Sequence, residues 1–346
     1  MFPTLNESIA SGKLDEKVLD DSLRRTMPVR FELGQLDGQT PSALAGVPQS
    51  NAYARLNQNN VSTPQMIELA LTAAKKAVVL LKNDNTLPLQ KQSLVTKTVC
   101  MFGPNANSTS AQEAGYVPHP RHIITPFAGM VEALPESKVR LIEGCNTTHC
   151  TTYDKAAVHA VLNDGCDAFI AVLGLTAYSN PGSHLFPASQ EPGNACGCVA
   201  GDGVEGECCD RQDVAMPGEQ LRLLQDIAAA ATLANNSVIL VTINAGMLDL
   251  SWAKAASSVG AIINAPYLGQ MAGKALAATL LGESNPAGRL VTTWYHSLDE
   301  IGPITDYAMY PYQTESGQQK GRTYRYFDGP VLWPFGFVRH CLRCSV

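Results

Sequence analysis

Hydrophobic residues along this chain come mostly in short continuous runs rather than in strict alternation with polar residues. Six such runs cover residues 78–81, 99–102, 139–142, 168–175, 238–243 and 261–264. Short unbroken runs predict strands that are buried on both faces, which is typical of a parallel sheet covered by helices. The pattern therefore indicates an α/β fold.

Segments with helical periodicity precede and separate these runs. They cover residues 13–31, 63–77, 154–162, 220–231 and 271–281. The second of them starts at Thr63-Pro64, where a capping residue is followed by proline at the first helical position. Helices and strands that alternate in this way predict a mostly parallel sheet sandwiched by helices.

Three polar or irregular segments interrupt this alternation. Residues 35–62 are predicted to form a linker, and residues 176–204 form a loop whose length is typical of functional or disordered segments. Because ligands on parallel sheets bind beyond the carboxyl ends of strands, residues 176–211 are well placed for a site. Residues 296–346 are irregular and aromatic; we expect them to cover the surface, the alternative being a platform on which sugars stack.

Composition excludes several classes of function. The 346 residues suggest two domains, and a net charge of -6 without a basic block argues against nucleic acid as the partner. No apolar run approaches the ~20 residues that span a bilayer, so no membrane partner is expected. The N-terminal residues do not have the pattern of a signal peptide.

Ten cysteines and five glycosylation sequons, at Asn6, Asn60, Asn107, Asn146 and Asn235, favour an extracellular or secretory-pathway protein. A secreted protein without a signal-peptide pattern is expected only if the chain is part of a longer protein. Cys145 and Cys150 are predicted to form a short disulfide loop. A second group of cysteines consists of Cys196, Cys198, Cys208 and Cys209. These four could surround zinc, but they lack the paired C-x2-C spacing of zinc knuckles, so disulfides or free thiols are favoured. No cofactor or metal is expected.

Two carboxylates lie close together in the loop that follows the run at 168–175. Glu205 and Glu207 precede an Asp210-Arg211 pair. A carboxylic acid whose pKa is raised towards neutrality can donate a proton to a leaving oxygen. The Asp210-Arg211 pair could fix the loop by charge-assisted hydrogen bonds. Solvated carboxylates are the common alternative.

Five groups of residues stand out along the chain. In chain order they are AVVLLKN at 77–83 with LPL at 87–89, GPNA at 103–106, ECCDR at 207–211, NPAGRL at 285–290 with TWY at 293–295, and GRTYRY at 321–326 with PFG at 334–336. Together they resemble glycoside hydrolase family 3, on its β-xylosidase and β-glucosidase side. The resemblance implies a six-stranded α/β sandwich at residues 63–300. It also implies that residues 1–62 are the tail and linker of a preceding TIM-like barrel, and that 301–346 form an aromatic C-terminal segment.

The resemblance implies a retaining exo-acting hydrolase of oligosaccharides or β-glycosides. In such a mechanism an aspartate attacks the anomeric carbon, while a second carboxyl group ~5–5.5 Å away protonates the leaving oxygen and then activates water. In the family, the acid/base residue lies three positions before the aspartate of the Asp-Arg pair. By this resemblance it is Glu207, and Glu205 is the runner-up. In the family the nucleophile belongs to the barrel, and it has no counterpart in this sequence, so a barrel is needed for activity. Asp249, which comes just after an apolar run, is interpreted as a structural residue.

The chain also departs from the family's pattern. Cys208-Cys209 replaces a glycine-containing pair, and the residues after Gly336 do not follow the family. The alternative function is a non-catalytic or vestigial carbohydrate-binding domain. A nucleotide-binding α/β domain is disfavoured, because no glycine-rich phosphate loop follows the first strand.

Overall fold

The computed structural model describes residues 3–32, 57–113, 120, 122–177, 205, 211, 213–303, 305–314 and 317–339. The chain divides into two compact units, Met1–Ile67 and Glu68–Val346. Most of the linker predicted at 35–62 and nearly all of the long loop at 176–204 lie outside the described residues, as do Cys196 and Cys198.

The described part of the first unit contains helices α1 (Pro3–Ala10) and α2 (Glu16–Glu32) and a 3-10 turn at Gln58–Asn60. Helix α2 corresponds to the helix predicted at 13–31. It starts later because the Asp15 carboxylate accepts a hydrogen bond from the Lys17 N–H (2.9 Å) and satisfies one of the free amides at the helix start. Helix α3 (Pro64–Ala77) begins where Thr63-Pro64 predicted.

The second unit is built on a six-stranded sheet. Its strands are β1 (Val79–Asn83), β2 (Thr98–Phe102), β3 (Lys138–Ile142), β4 (Ala168–Gly174), β5 (Val238–Ile243) and β6 (Val259–Ala265). Its helices are α4 (Pro126–Ala133), α5 (Lys155–Asn163), α6 (Gln220–Leu233), α7 (Ser251–Ala255), α8 (Ala272–Leu280) and α9 (Thr323–Tyr326). A small hairpin of β7 (Tyr312–Thr314) and β8 (Gly317–Gln319) lies apart from the sheet.

The strand order is β1-β6-β5-β4-β2-β3. All neighbours are parallel except the edge strand β1, which runs antiparallel to β6. Every residue of β4, β5 and β6 is buried. The predicted α/β fold with a mostly parallel six-stranded sheet is confirmed.

Two apolar layers cover the faces of the sheet. One contains side chains of α5 and α6 together with Trp294 and Trp333, whose rings meet edge to face at 5.6 Å. The other contains Met130 of α4 and Leu276 of α8. Because both faces are covered, functional side chains are confined to the ends of the strands.

Helices α4 and α8 approach until their backbones touch. A Cβ added to Gly129 would lie 2.2 Å from the backbone of Gly273. The sequence pattern did not predict α4, although Thr125 accepts a hydrogen bond from the Ala128 N–H (3.2 Å) and Pro126 occupies the first helical turn. The apolar residues of α4 are too few to show a clear period.

Two disulfides brace the sheet-bearing unit. The structure pairs Cys145 with Cys150 (Cα–Cα 4.8 Å) and also pairs Cys100 of β2 with Cys166, which lies just ahead of β4 (Cα–Cα 5.7 Å). The second bridge had not been predicted, since cysteine spacing alone does not determine connectivity. Within the described part of the chain, no helix is both long and apolar enough to cross a bilayer.

We expect Gly129→Ala to destabilise the fold by about 1–3 kcal/mol, because the added methyl group must push α8 away from α4. The measurement is chemical unfolding of the purified chain. The control is Ala128→Ser on the exposed side of the same helix, with an expected change below about 0.5 kcal/mol. Equal stabilities of the two variants would contradict the close helix contact.

The two disulfides should differ in their contributions to stability. In the loop-entropy description, the bridge that closes 66 residues contributes about 4 kcal/mol, and the bridge that closes 5 residues about 2 kcal/mol. Unfolding of Cys100→Ala/Cys166→Ala and of Cys145→Ala/Cys150→Ala tests this order. A larger loss in the free energy of unfolding from Cys145→Ala/Cys150→Ala than from Cys100→Ala/Cys166→Ala would contradict the loop-entropy description.

Candidate functional site

The carboxyl ends of β2, β4, β5 and β6 meet at one edge of the sheet, and Glu205 lies there. Its backbone N–H donates to the carbonyl of Thr176, two residues beyond β4 (3.3 Å). The long loop that leaves β4 therefore returns to the end of the same strand at Glu205. Glu205 therefore lies at the edge of the sheet where ligands of parallel sheets bind.

The Glu205 carboxylate is held by three donors. Its Oε1 accepts from the Ala245 N–H (2.8 Å) and from the Tyr267 hydroxyl, and its Oε2 accepts from the Gly246 N–H (3.3 Å). Ala245 and Gly246 follow β5, and Tyr267 follows β6. Hydrogen bonds to a carboxylate are stronger than those between neutral groups, so these contacts tie the returning loop to two strand ends. We call Glu205 and its three donors the Glu205 clamp.

Buried amides hold the turn that supplies two of these donors. Asn244 donates to the Gly246 carbonyl (2.6 Å), and Asn264 donates to the Asn244 Oδ1 (2.9 Å). Both side chains are almost fully buried. A buried amide that is satisfied in this way has little freedom to reorient, so the turn at Ala245-Gly246 is preorganised. A Cβ at Gly246 would lie 3.0 Å from the Glu205 Oε2, so a larger residue there would have to shift the Glu205 carboxylate by a few tenths of an ångström.

The electrostatics of the clamp keep Tyr267 a donor. Burial, and then the adjacent Glu205 carboxylate, raise the pKa of the Tyr267 phenol well above its ordinary value. Because a raised pKa favours the protonated phenol, the hydroxyl stays available to donate at neutral and moderately alkaline pH.

Arg211 lies beside the clamp and fixes the far end of the acidic loop. Its guanidinium donates to the carbonyls of Met247 (3.0 Å) and Ala215, and it forms an ion pair with Asp213 (3.6 Å). Burial lowers the pKa of the Arg211 guanidinium, and the nearby Glu205 and Asp213 carboxylates oppose that shift. The loop is thus attached to the sheet edge at both Glu205 and Arg211.

A second pair of amides supports the end of β4. Gln220, the first residue of α6, accepts from the Gly174 N–H (2.8 Å) and donates to its carbonyl (2.9 Å). Asn105, in the turn after β2, donates to the Leu175 carbonyl (3.0 Å) and accepts from the Thr148 hydroxyl (2.8 Å). The pairing of β4 with β2 ends at Ala171, and these side chains satisfy backbone groups beyond that point.

The structure describes some of the residues predicted for the site and not others. Glu205 and Arg211 lie together at the strand ends, whereas Glu207 and Asp210 lie outside the described residues, as do Cys208 and Cys209. Asp249 accepts from the Ser251 N–H (2.9 Å) at the start of α7. No group of three or more possible metal-ligating side chains occurs in the portion of the chain that the structure describes.

Sequence reasoning missed Tyr267, Asn244 and Asn264. A signal was present: the tripeptide Ile-Asn-Ala occurs at 243–245 and again at 263–265, each time at the end of an apolar run. An amide that ends a buried strand needs a partner, and here the two amides bond to each other.

A double-mutant cycle measures the bond between Tyr267 and Glu205. We expect Tyr267→Phe and Glu205→Ala to show a coupling energy of about 1.5–3 kcal/mol in chemical unfolding, the range for a hydrogen bond to a charged group. Tyr153→Phe with Glu205→Ala is the matched control, because the Tyr153 hydroxyl donates to Asp226 instead (2.8 Å). A coupling no larger than that of the control pair would contradict the clamp.

Comparison with known proteins identifies the family. Residues 78–339 match the model of the glycosyl hydrolase family 3 C-terminal domain. The chain is 30% identical to probable beta-D-xylosidase 6 of Arabidopsis thaliana over 97% of its length, and 30% identical to exo-1,4-beta-xylosidase xlnD of Aspergillus niger over 96%. It spans 37% of each of these two relatives.

Solved structures share the fold. A GH3 exo-beta-xylosidase (XlnD), solved in complex with a xylobiose aziridine activity-based probe, superposes with a TM-score of 0.68 at 28% identity, over 84% of this chain and 33% of that one. A beta-glucosidase from Listeria innocua in complex with glucose has a TM-score of 0.68 at 20% identity, over 97% of this chain and 40% of that one, a likeness of fold alone. The chain therefore belongs to glycosyl hydrolase family 3, and residues 78–339 are its C-terminal domain.

Proposed function

We propose that this chain supplies the acid/base domain of a retaining exo-β-glycosidase, of the β-xylosidase type first and the β-glucosidase type second. The family match supports a glycoside hydrolase, and the curated relatives named above are xylosidases. The substrate would be an oligosaccharide or another β-glycoside. The chemistry needs no cofactor, since two carboxyl groups suffice.

The Glu205 clamp is the observation that carries this proposal. Both oxygens of Glu205 already accept hydrogen bonds from Ala245, Gly246 and Tyr267, so this carboxylate serves as an anchor. Glu207 follows two residues later, within about 7 Å of extended chain. In this proposal the anchor keeps Glu207 near the carboxyl ends of the strands.

Glu207 is the general acid and base in this proposal. Its protonated carboxyl group donates to the glycosidic oxygen as the bond to the sugar breaks, and its carboxylate then takes a proton from the attacking water. Arg211, and Asp210 beside it, hold the segment that follows. Glu205 remains the runner-up for the catalytic role.

The nucleophile would come from a barrel domain. In this assignment residues 1–62 are the tail of that barrel and a linker, residues 63–300 are the sandwich, and residues 301–346 are the aromatic C-terminal segment. The full-length enzyme would be an extracellular or secretory-pathway glycoprotein, as the ten cysteines and five sequons suggest. As a β-xylosidase it would act in xylan breakdown.

The second candidate is a non-catalytic or vestigial carbohydrate-binding domain. The observation in its favour is that the 346 residues contain no Ser-Asp-Trp segment of the kind that carries the family's nucleophile. The two candidates differ in one respect: only an acid/base domain restores turnover when it is joined to a barrel.

The test is a chimera in which this chain replaces the matching part of the Aspergillus niger exo-1,4-beta-xylosidase. We expect the chimera to hydrolyse aryl β-xylosides, and the isolated chain to show no turnover. Glu207→Gln should slow hydrolysis of substrates with poor leaving groups by ~10²–10⁴-fold, because the proton donor is lost. Substrates with activated leaving groups should suffer less, and added azide should restore turnover.

Glu205→Gln is the matched control in the same chimera. It should be milder and show neither dependence on the leaving group nor rescue by azide. If Glu205→Gln shows both effects and Glu207→Gln shows neither, the two roles are reversed. If a folded chimera is inactive, the non-catalytic candidate is favoured. If the chimera is active but neither variant shows the effects, the assignment of the acid/base role to Glu207 or Glu205 fails.

A further inference from the structure

A cavity of about 520 Å³ opens at the edge of the sheet opposite the candidate site. It lies where β4 and β5 begin, beside the turn that follows β1. Its volume is within the roughly 300–1,000 Å³ typical of pockets for small ligands. The Glu205 clamp lies at the carboxyl ends of the strands, so this cavity is not part of that site.

The lining of the cavity suits a sugar. Buried apolar side chains of Leu94, Phe169 and Ile239 line one part of it. Asn85 and Ser93 add an exposed amide and a hydroxyl. Apolar patches together with amides and hydroxyls match the C–H faces and the hydroxyl and acetamido groups of an N-acetylated hexose.

Asn235 lies in the wall of this cavity and begins the sequon Asn235-Asn236-Ser237. It follows α6 with a φ of 53°, a conformation that asparagine tolerates better than most residues. Its N–H donates to the Thr232 carbonyl (3.0 Å), and the Asn236 N–H donates to that of Ala231 (2.8 Å). This pair of bonds closes the helix and fixes the direction in which the Asn235 side chain leaves the backbone.

The side chain of Asn235 is exposed, and no described residue forms a hydrogen bond with its amide. Its neighbours, by contrast, are tied down. Asn236 donates to the Asp167 carbonyl (2.7 Å), and the Ser237 and Thr86 hydroxyls share a hydrogen bond (3.2 Å). The wall of the cavity is therefore held in place around the Asn235 amide.

The other sequons of the sheet-bearing unit lie at the carboxyl edge. Asn107 follows β2 and accepts from the Thr125 hydroxyl (2.8 Å). Asn146 lies inside the loop closed by Cys145 and Cys150. A glycan at either position would lie at the same edge as the Glu205 clamp, whereas one at Asn235 would lie at the opposite edge.

We propose that Asn235 carries an N-linked glycan whose first N-acetylglucosamine lies in this cavity. The inference rests on the secretory location proposed above. The donor is an oligosaccharide linked to a lipid through pyrophosphate. Its C1–O bond to the pyrophosphate breaks, the Asn235 Nδ2 forms the new N–C1 bond, and one amide proton is lost as the lipid pyrophosphate leaves.

The test is expression of the full chain, behind an added signal peptide, in a yeast secretory host. Because the signal peptide is supplied, the result does not depend on the native location or on the role of Glu207. Mass spectrometry of glycopeptides should find Asn235 occupied. An unoccupied Asn235 in the secreted, folded chain overturns the proposal.

Two glycosidases then test whether the first sugar occupies the cavity. Endoglycosidase H leaves one N-acetylglucosamine on the asparagine, whereas PNGase F removes the whole glycan and leaves aspartate. We expect the Tm after PNGase F to lie about 2–4 °C below the Tm after endoglycosidase H. Equal Tm values would overturn the placement of the sugar in the cavity.

Aspartate variants make the comparison specific to Asn235. Asn235→Asp tolerates the same backbone conformation, resembles the PNGase F product and should abolish the difference in Tm between the two treatments. Asn146→Asp is the matched control, because aspartate can still accept the hydrogen bond from the Thr152 N–H, and it should leave the difference intact. A difference that disappears in Asn146→Asp instead would contradict the assignment to Asn235.

Discussion

The hydrogen bonds that Glu205 accepts at the sheet edge are the interaction on which the candidate site depends. The residue returns from a loop of about thirty residues (176–204) and binds to the ends of β4, β5 and β6 through Thr176, Ala245-Gly246 and Tyr267. Bringing the two ends of so long a segment together costs conformational entropy, and charge-assisted bonds between Glu205 and preorganised donors offset part of that cost. The same bonds make Glu205 an anchor and leave the neighbouring glutamate for chemistry in the proposed function.

The donors are preorganised because the sheet beneath them is rigid. The central strands are buried along their full length, and two apolar layers cover both faces. Gly129 and Gly273 allow α4 and α8 to touch, and the bridge between Cys100 and Cys166 joins neighbouring parts of the sheet. A framework of this kind leaves only the strand ends available to ligands, one end for each of the two sites proposed here.

Much of the fold could be predicted from the sequence because its signals are local. Unbroken apolar runs identified β2 to β6, and Thr63-Pro64 marked the start of α3. The antiparallel direction of β1 could not be read from the sequence, since an apolar run carries no information on strand direction. Helices α1 and α4 were missed because eight residues are too few to establish a helical period.

The site was predictable only in part. The acidic motif pointed to the carboxyl edge of the sheet, where Glu205 lies, but the partners of Glu205 lie about forty and sixty residues away in sequence. Contacts of that kind arise from the parallel order of the strands, which brings distant strand ends together. Sequence alone could not tell which of the two glutamates is bound by the strand ends. In the structure the strand ends bind Glu205.

The most direct test is a crystal structure of the chimeric enzyme with a bound, uncleaved xylobiose analogue. The account predicts that a Glu207 carboxyl oxygen lies ~2.6–3.2 Å from the glycosidic oxygen. It also predicts that Glu205 still accepts hydrogen bonds from Ala245, Gly246 and Tyr267. A structure in which Glu205 has left these donors and contacts the glycosidic oxygen, with Glu207 directed away, would contradict it.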